Sequence, residues 1–314
     1  MVTAVYTHPV AAEHVTPPGH PERVARIEAI WRALRAAPFA ALDWREAPIC
    51  AREELLRCHP EAHVAAIEAA IPDDDGWVAL DADTHVMARS LEAAMRAVGA
   101  AGAAVDAVLA GQVANAFCAM RPPGHHAERA EPMGFCLFGT IAIAAKRALD
   151  LHGLERVAVM DFDVHHGNGT QDLLWDEART LFASTHQMPL YPGTGDPHET
   201  GAHGNVMNVA LPPGADGARF RQVMEGQVLP ALDDFARQLV LISAGFDAHR
   251  DDPLAQLNLV EEDFAWATDR LCDVAERHCG GRVVSTLEGG YDLDALAAST
   301  AAHVRGLMQR GARR

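Results

Sequence analysis

Short apolar runs rich in β-branched residues recur along this chain, and helically patterned stretches stand between them. The runs read TAVYTH (3–8), VANAFCAM (113–120), RVAVMDFDV (156–164), TLFASTHQ (180–187), NVMNVAL (205–211), QLVLISAGFD (238–247) and RVVSTLEGGY (282–291). Strands this short and this apolar are buried on both faces, and that demands helices above and below a mostly parallel sheet. The intervening helices are expected over 20–37, 87–111, 134–153, 218–236, 261–281 and 292–311, with two shorter ones broken at Pro60. Pro21 is expected near the first turn of the first helix, and Pro230 is expected to bend the helix that contains it. No repeat, low-complexity segment or linker interrupts the pattern, so residues 1–314 read as one domain. A chain of 314 residues, 49% of them hydrophobic, can bury one large core.

Charge and cysteine usage narrow the function. The net charge of −17 argues against nucleic acid as a partner, because phosphate binding needs a basic surface. No apolar run reaches the length of about 18 residues that a membrane span needs. The N-terminus has neither a basic start nor a long apolar stretch, so no secretion signal is expected and the cytoplasm is the expected location. The six cysteines at 50, 58, 118, 136, 272 and 279 form no CxxC pair. They are expected to be reduced, buried thiols, not ligands of a zinc cluster.

In open α/β sheets, ligands bind beyond the carboxyl ends of the strands. Four of the strand ends here carry unusual residues. VANAFCAM leads into Arg121-Pro122-Pro123-Gly124-His125-His126, RVAVM into Asp161, Asp163 and His165, LVLISAGF into Asp247, and RVVSTLEGG into Tyr291. A strand running through residue 165 would place Asp161, Asp163 and His165 on one face, by its period of two. Asp163 and His165 with Asp247 then make a three-ligand metal site with a position left open, the layout of a catalytic zinc site. Two carboxylates and one imidazole also suit Fe(II). A single Asp or His at a strand end is commonly a cap or a surface group; four decorated ends together favour the metal. His125 and His126 are candidates for general base and general acid, and Tyr291 for a hydrogen-bond donor to a developing oxyanion. The plainer alternatives are a surface loop pair and a packing tyrosine.

In this order, RPPGHHA, DFDVHHGNGTQ, SAGFD and LEGGY resemble the histone deacetylase superfamily over most of the chain, with HPERVARI, DADTHV and HQMPLYPGTG similar as well. Asn168 in HHGNGTQ resembles the class II branch and its bacterial relatives, which include acetylpolyamine amidohydrolases. The resemblance implies a three-layer α/β/α arginase-like fold with a mainly parallel central sheet. It also implies zinc-dependent hydrolysis of N-acyl-lysine-type amides through a metal-activated water. Asp163, His165 and Asp247 would be the zinc ligands, His125 and His126 the catalytic pair, and Tyr291 the residue that polarises the carbonyl. Asp161 would support His125, and Asn168 would support His126. A structural potassium ion would involve Asp161, Asp163, His165, Ser184 and Thr185. Gly134, Phe135, Leu254 and Asp83 would face the substrate.

A carboxylate partner should keep His125 charged, whereas an amide partner should leave His126 neutral and able to move a proton. Leu254 stands where polyamine-selective relatives carry Glu, which favours acetyl-lysine over acetylated polyamines or other small acetylated amines. An arginase-like dimanganese site would need a carboxylate two residues after His165, where Gly167 stands instead. A non-catalytic acyl-lysine reader would be expected to lack a ligand or the tyrosine, and every such position is filled. The resemblance also implies a homo-oligomer, dimer or tetramer. His186, His198 and His203 are expected on loop tips, either at the entrance to the site or simply solvated.

Overall fold

The computed structural model describes residues 1–313. Ten strands form: β1 (Thr3–Thr7), β2 (Asp43–Glu46), β3 (Val78–Ala79), β4 (His85–Val86), β5 (Asn115–Cys118), β6 (Val157–Asp161), β7 (Thr180–Gln187), β8 (Val206–Leu211), β9 (Leu239–Ala244) and β10 (Val283–Leu287). Eight of them make one sheet in the order β2-β1-β5-β10-β9-β6-β7-β8, and every neighbouring pair is parallel. The fifth, sixth, ninth and tenth strands are buried along their whole length, as apolar runs in a covered parallel sheet must be. β3 and β4 pair separately as a small antiparallel hairpin.

The helices are α1 (Val24–Leu34), α2 (Arg52–Leu55), α3 (Glu61–Ala70), α4 (Ser90–Leu109), α5 (Thr140–His152), α6 (Asn168–Leu174), α7 (Gly217–Val223), α8 (Leu229–Phe235), α9 (Glu261–Cys279) and α10 (Leu293–Gly311). One layer packs α1 on α10 and α10 on α9, with α8 beside α9; the other packs α4 on α5 and α5 on α6. This is the expected three-layer α/β/α arrangement, with a sheet that is wholly parallel. All six cysteines are buried and none is joined in a disulfide among the described residues, as expected. Among the described residues, no helix is long and apolar enough to cross a membrane.

Three local expectations need correction. The first helix begins at Val24, not near Pro21, because Arg23 is still extended and serves as the cap. The irregularity near Pro230 precedes the proline. Residues Met224–Val228 widen into a π-helical turn between α7 and α8, directly ahead of Pro230 in the first turn of α8, so the continuous helix accommodates the missing N–H of the proline by a widened turn. The third correction concerns the site directly. β6 ends at Asp161, and residues 163–165 form a bend instead of continuing the strand. The backbone leaves the ladder there because carboxylates replace its partners. Asp161 Oδ1 accepts from Asp163 N at 3.0 Å, Asp247 Oδ1 from Val164 N at 2.9 Å, and Asp163 Oδ1 from His165 N at 2.9 Å. Asp163 and His165 therefore converge through this bend, not through strand alternation.

The strand order explains why four decorated ends can meet. The chain crosses from β5 to β6 and later fills the gap with β9 and β10, so β5, β10, β9 and β6 are consecutive at the centre of the sheet.

Several histidines are buried in the supporting core and held neutral by burial. His303 hydrogen-bonds Thr268 Oγ1 at 2.6 Å and Ser285 Oγ at 2.9 Å, against the rings of Phe117, Phe162 and Phe246. Burial lowers its pKa from 6.5 to about 3. The unfolded chain thus binds a proton there that the folded chain refuses. Stability is unaffected above pH 6.5, and falls progressively as the pH drops from 6.5 towards 3. His303→Gln should flatten the dependence of unfolding free energy on pH by about one proton between about pH 6 and 4, measured by urea denaturation. An unchanged slope would refute this assignment.

Candidate active site

The loops after the four central strands close over a cluster of buried ionisable groups. Asp161, Asp163 and Asp247 are completely inaccessible, and Glu288 is nearly so. Carboxylates are tolerated at such depth only when paired or hydrogen-bonded. His165 Nδ1 lies 3.2 Å from Asp163 Oδ1 and 3.1 Å from Asp247 Oδ2. Burial opposes charge on His165, but the hydrogen bonds to these two carboxylates prevail and raise its pKa to about 10. One donor atom from each of Asp163, His165 and Asp247 lies within 4.8 Å of the others. Two oxygen donors and one nitrogen donor at this separation fit a divalent ion. The cradle has no spare room, since a Cβ on Gly245 would stand 2.0 Å from Asp163 Oδ2, and one on Gly289 the same distance from Asp247 Oδ2.

The histidine pair lies beside this cluster, with ring centroids 4.0 Å apart. His125 Nδ1 faces Asp161 Oδ2 at 2.9 Å, and its backbone N–H donates to Glu288 Oε2 at 3.1 Å. Burial disfavours its charge, but Asp163 and Asp161 outweigh burial and hold its pKa well above 6.5. His126 Nδ1 faces Asn168 Oδ1 at 2.7 Å. Burial, reinforced by the positive charges of His125 and His165, lowers its pKa well below 6.5. One buried imidazole is thus a cation and its neighbour a neutral base.

Of these groups, His126 and His165 reach a cavity of about 400 Å³. His126, His165 and Tyr291 line it together with Phe135, Leu190, Tyr191 and Leu254, and Asp83 lines it from the β3–β4 hairpin. Gly134 and Phe135 both adopt left-handed backbone, at φ of 54° and 69°. At Gly134 this is needed for packing, since a Cβ there would come within 2.4 Å of the His126 ring. Phe135 is held in place by its N–H donating to Thr84 Oγ1 at 3.0 Å. Ser184 lies opposite Asp161 in the β6–β7 register, and Thr185 Oγ1 is buried without a hydrogen-bond partner. His186 departs from expectation. It is buried inside β7, where it bonds Ser184 Oγ and Gly195 O, while His198 and His203 are exposed.

Residues that single motifs did not reveal hold the site together. Asp252 Oδ2 accepts from Tyr291 N at 2.7 Å, and its Oδ1 from Leu254 N at 3.0 Å. The Arg26 guanidinium lies 4.8 Å from the Tyr291 ring centroid, and donates to Glu288 O at 2.6 Å and Gly290 O at 2.5 Å. Glu22 pairs with Arg26 at 2.8 Å and with Arg121. Glu288 accepts from Gly124 N at 2.8 Å and Ser243 Oγ at 3.0 Å. An acid at the end of an apolar strand was the available signal for Glu288, and Glu22 and Arg26 sit four apart in HPERVAR. Gly289→Ala should push aside both carboxylates of the cradle. Metal affinity, titrated on the purified protein, is expected to fall by about tenfold or more with the circular dichroism spectrum unchanged. Unaltered affinity would count against this cradle.

Comparison with known proteins is consistent with this geometry. The family described as histone deacetylase domain matches residues 20–307. An uncharacterised protein of Synechocystis is 42% identical over 312 residues, covering 98% of this chain and 100% of that one. The histone deacetylase-like amidohydrolase of Pseudomonas aeruginosa is 42% identical over 287 residues, covering 90% of this chain and 74% of its own length. Among solved structures, the HD domain of HDA15 superposes with a TM-score of 0.91 at 32% identity, covering 98% of this chain and 89% of that one. The chain belongs to the histone deacetylase family, whose members are hydrolytic deacetylases and amidohydrolases.

Proposed function

We propose that residues 1–314 act as one catalytic domain that hydrolyses N-acetyl amides, with acetyl-lysine side chains as substrate class. The observation that carries this reading is the buried Asp163–His165–Asp247 set at the floor of a largely apolar cavity, with a neutral histidine and a tyrosine beside it. Asp163, His165 and Asp247 would hold Zn²⁺ in preference to Fe²⁺, and Asp161, Asp163, His165, Ser184 and Thr185 a structural K⁺. The unpartnered Thr185 hydroxyl and the Ser184–Asp161 register support the second site. When bound, the zinc ion supplies a Lewis acid for the acyl carbonyl and for water.

The protein groups perform the rest. The cavity walls, Phe135, Tyr191 and Leu254, take up the aliphatic stem of the substrate and exclude water. His126, neutral and with Nδ1 committed to Asn168, accepts a proton at Nε2 from the attacking water and later returns it to the leaving amine. His125 stays charged through Asp161 and provides a fixed positive field beside it. The Tyr291 hydroxyl, kept protonated by burial, donates to the oxyanion of the tetrahedral intermediate, which collapses to acetate and free amine. Leu254 on the cavity wall meets no ammonium group, which favours lysine side chains. A second reading, acetylated polyamines, draws support from Asp83 at the same cavity, whose carboxylate can meet a cation.

A matched assay separates the two. The zinc-loaded protein should turn over an acetyl-lysine peptide in preference to N-acetylputrescine, and Asp247→Ala should abolish turnover. Preference for acetylputrescine would move the substrate class to polyamines, and turnover surviving in Asp247→Ala would overturn the metal-dependent mechanism. Tyr291→Phe should lower kcat by about tenfold or more with little change in KM. Near-normal kcat would remove the hydroxyl from the chemistry.

A further inference from the structure

Asn168 uses both ends of its side-chain amide. Its Oδ1 faces His126 Nδ1 at 2.7 Å, and its Nδ2 donates to Glu128 Oε1 at 2.7 Å and to Met133 Sδ at 3.3 Å. Glu128 is half-buried and follows His126 by two residues in HHAE. Its loop is pinned on either side, by Glu128 N–H donating to Glu131 O at 3.0 Å and Arg129 N–H donating to Asp172 Oδ2 at 2.7 Å. An ionised carboxylate can only accept hydrogen bonds, whereas an amide side chain both donates and accepts.

We infer that Glu128 is a positioning residue that sets the tautomer of His126 through Asn168. The carboxylate draws the Asn168 NH₂ to itself, which leaves the amide oxygen for the imidazole. An oxygen acceptor at Nδ1 places the ring proton there, and the Nε2 lone pair is then left for the cavity that His126 lines. With a donor in place of Glu128 the chain inverts. Asn168 would turn its oxygen outward and its NH₂ to Nδ1, and the ring proton would move to Nε2, where it blocks proton uptake. This inference rests on the proposed role of His126 as base for its catalytic consequence, but the tautomer itself is measurable without turnover.

Two substitutions test it. Glu128→Gln keeps an acceptor oxygen for Asn168 and should preserve both tautomer and rate, with kcat within about threefold of wild type. Glu128→Lys offers only donors and should lower kcat by about tenfold or more, with KM and zinc content unchanged. The direct readout is ¹⁵N NMR of histidine-labelled, zinc-loaded protein, with the His126 signals assigned by their loss in His126→Gln. Wild type and Glu128→Gln should show the Nδ1–H form, and Glu128→Lys the Nε2–H form. An Nδ1–H ring in Glu128→Lys, or a wild-type rate in that variant, overturns the inference. If wild-type protein turns over neither acetylated substrate, the deacylase reading fails, while the NMR comparison still decides whether Glu128 controls the ring.

Discussion

The burial of carboxylates at the carboxyl end of a parallel sheet is the constraint on which this structure turns. Asp161, Asp163, Asp247 and Glu288 are removed from solvent, where uncompensated charge is very costly. The surrounding structure is arranged to meet that cost. Backbone N–H groups of Gly124, His125, Asp163, Val164, His165 and Gly289 all point into the cluster, and the His125 and His165 rings stand against it. A divalent ion held by Asp163, His165 and Asp247 would complete the same balance.

The two adjacent histidines show how small differences in partner produce different chemistry. Each uses Nδ1 to contact a residue from the 161–168 segment, one a carboxylate and one an amide. Both rings are buried to a similar degree, so desolvation does not distinguish them. Asp163 and Asp161 favour the cation at His125, and that cation then disfavours a second one at His126. A charged ring at His125 and a neutral one at His126 thus follow from their different surroundings. The second layer around them is equally specific: Asp252 and Arg26 fix the Tyr291 backbone and ring, and Glu128 fixes Asn168.

Much of this was legible in the sequence because apolar strands and polar strand ends are local signals. The parallel sheet, the helices and most of the polar groups that meet beyond its central strands could be read from hydrophobic patterning and from unusual residues after the strands, Glu288 being the exception. The expectation that residues 161–165 form a continuous strand was wrong, since it took periodicity as its guide where side-chain carboxylates replace the ladder partners. His186 was misplaced for a related reason, as a histidine among turn residues reads as solvated until its two buried partners are known. Glu22, Arg121 and Arg26 could not be joined by spacing alone, because Arg121 stands on a different strand end.

The sequence by itself determined the element types, the covered parallel sheet and the chemical identity of the groups at its strand ends, because each of these depends on residues near one another along the chain. Only the tertiary structure decided which ends meet. The chain returns from β6 to insert β9 and β10 beside β5, and this strand order brings Asp247, Glu288 and Tyr291 to His125, His126 and Asp163. The charge state of each group was likewise a tertiary matter, since a pKa is set by burial and by charges that lie close in space, whatever their separation in sequence.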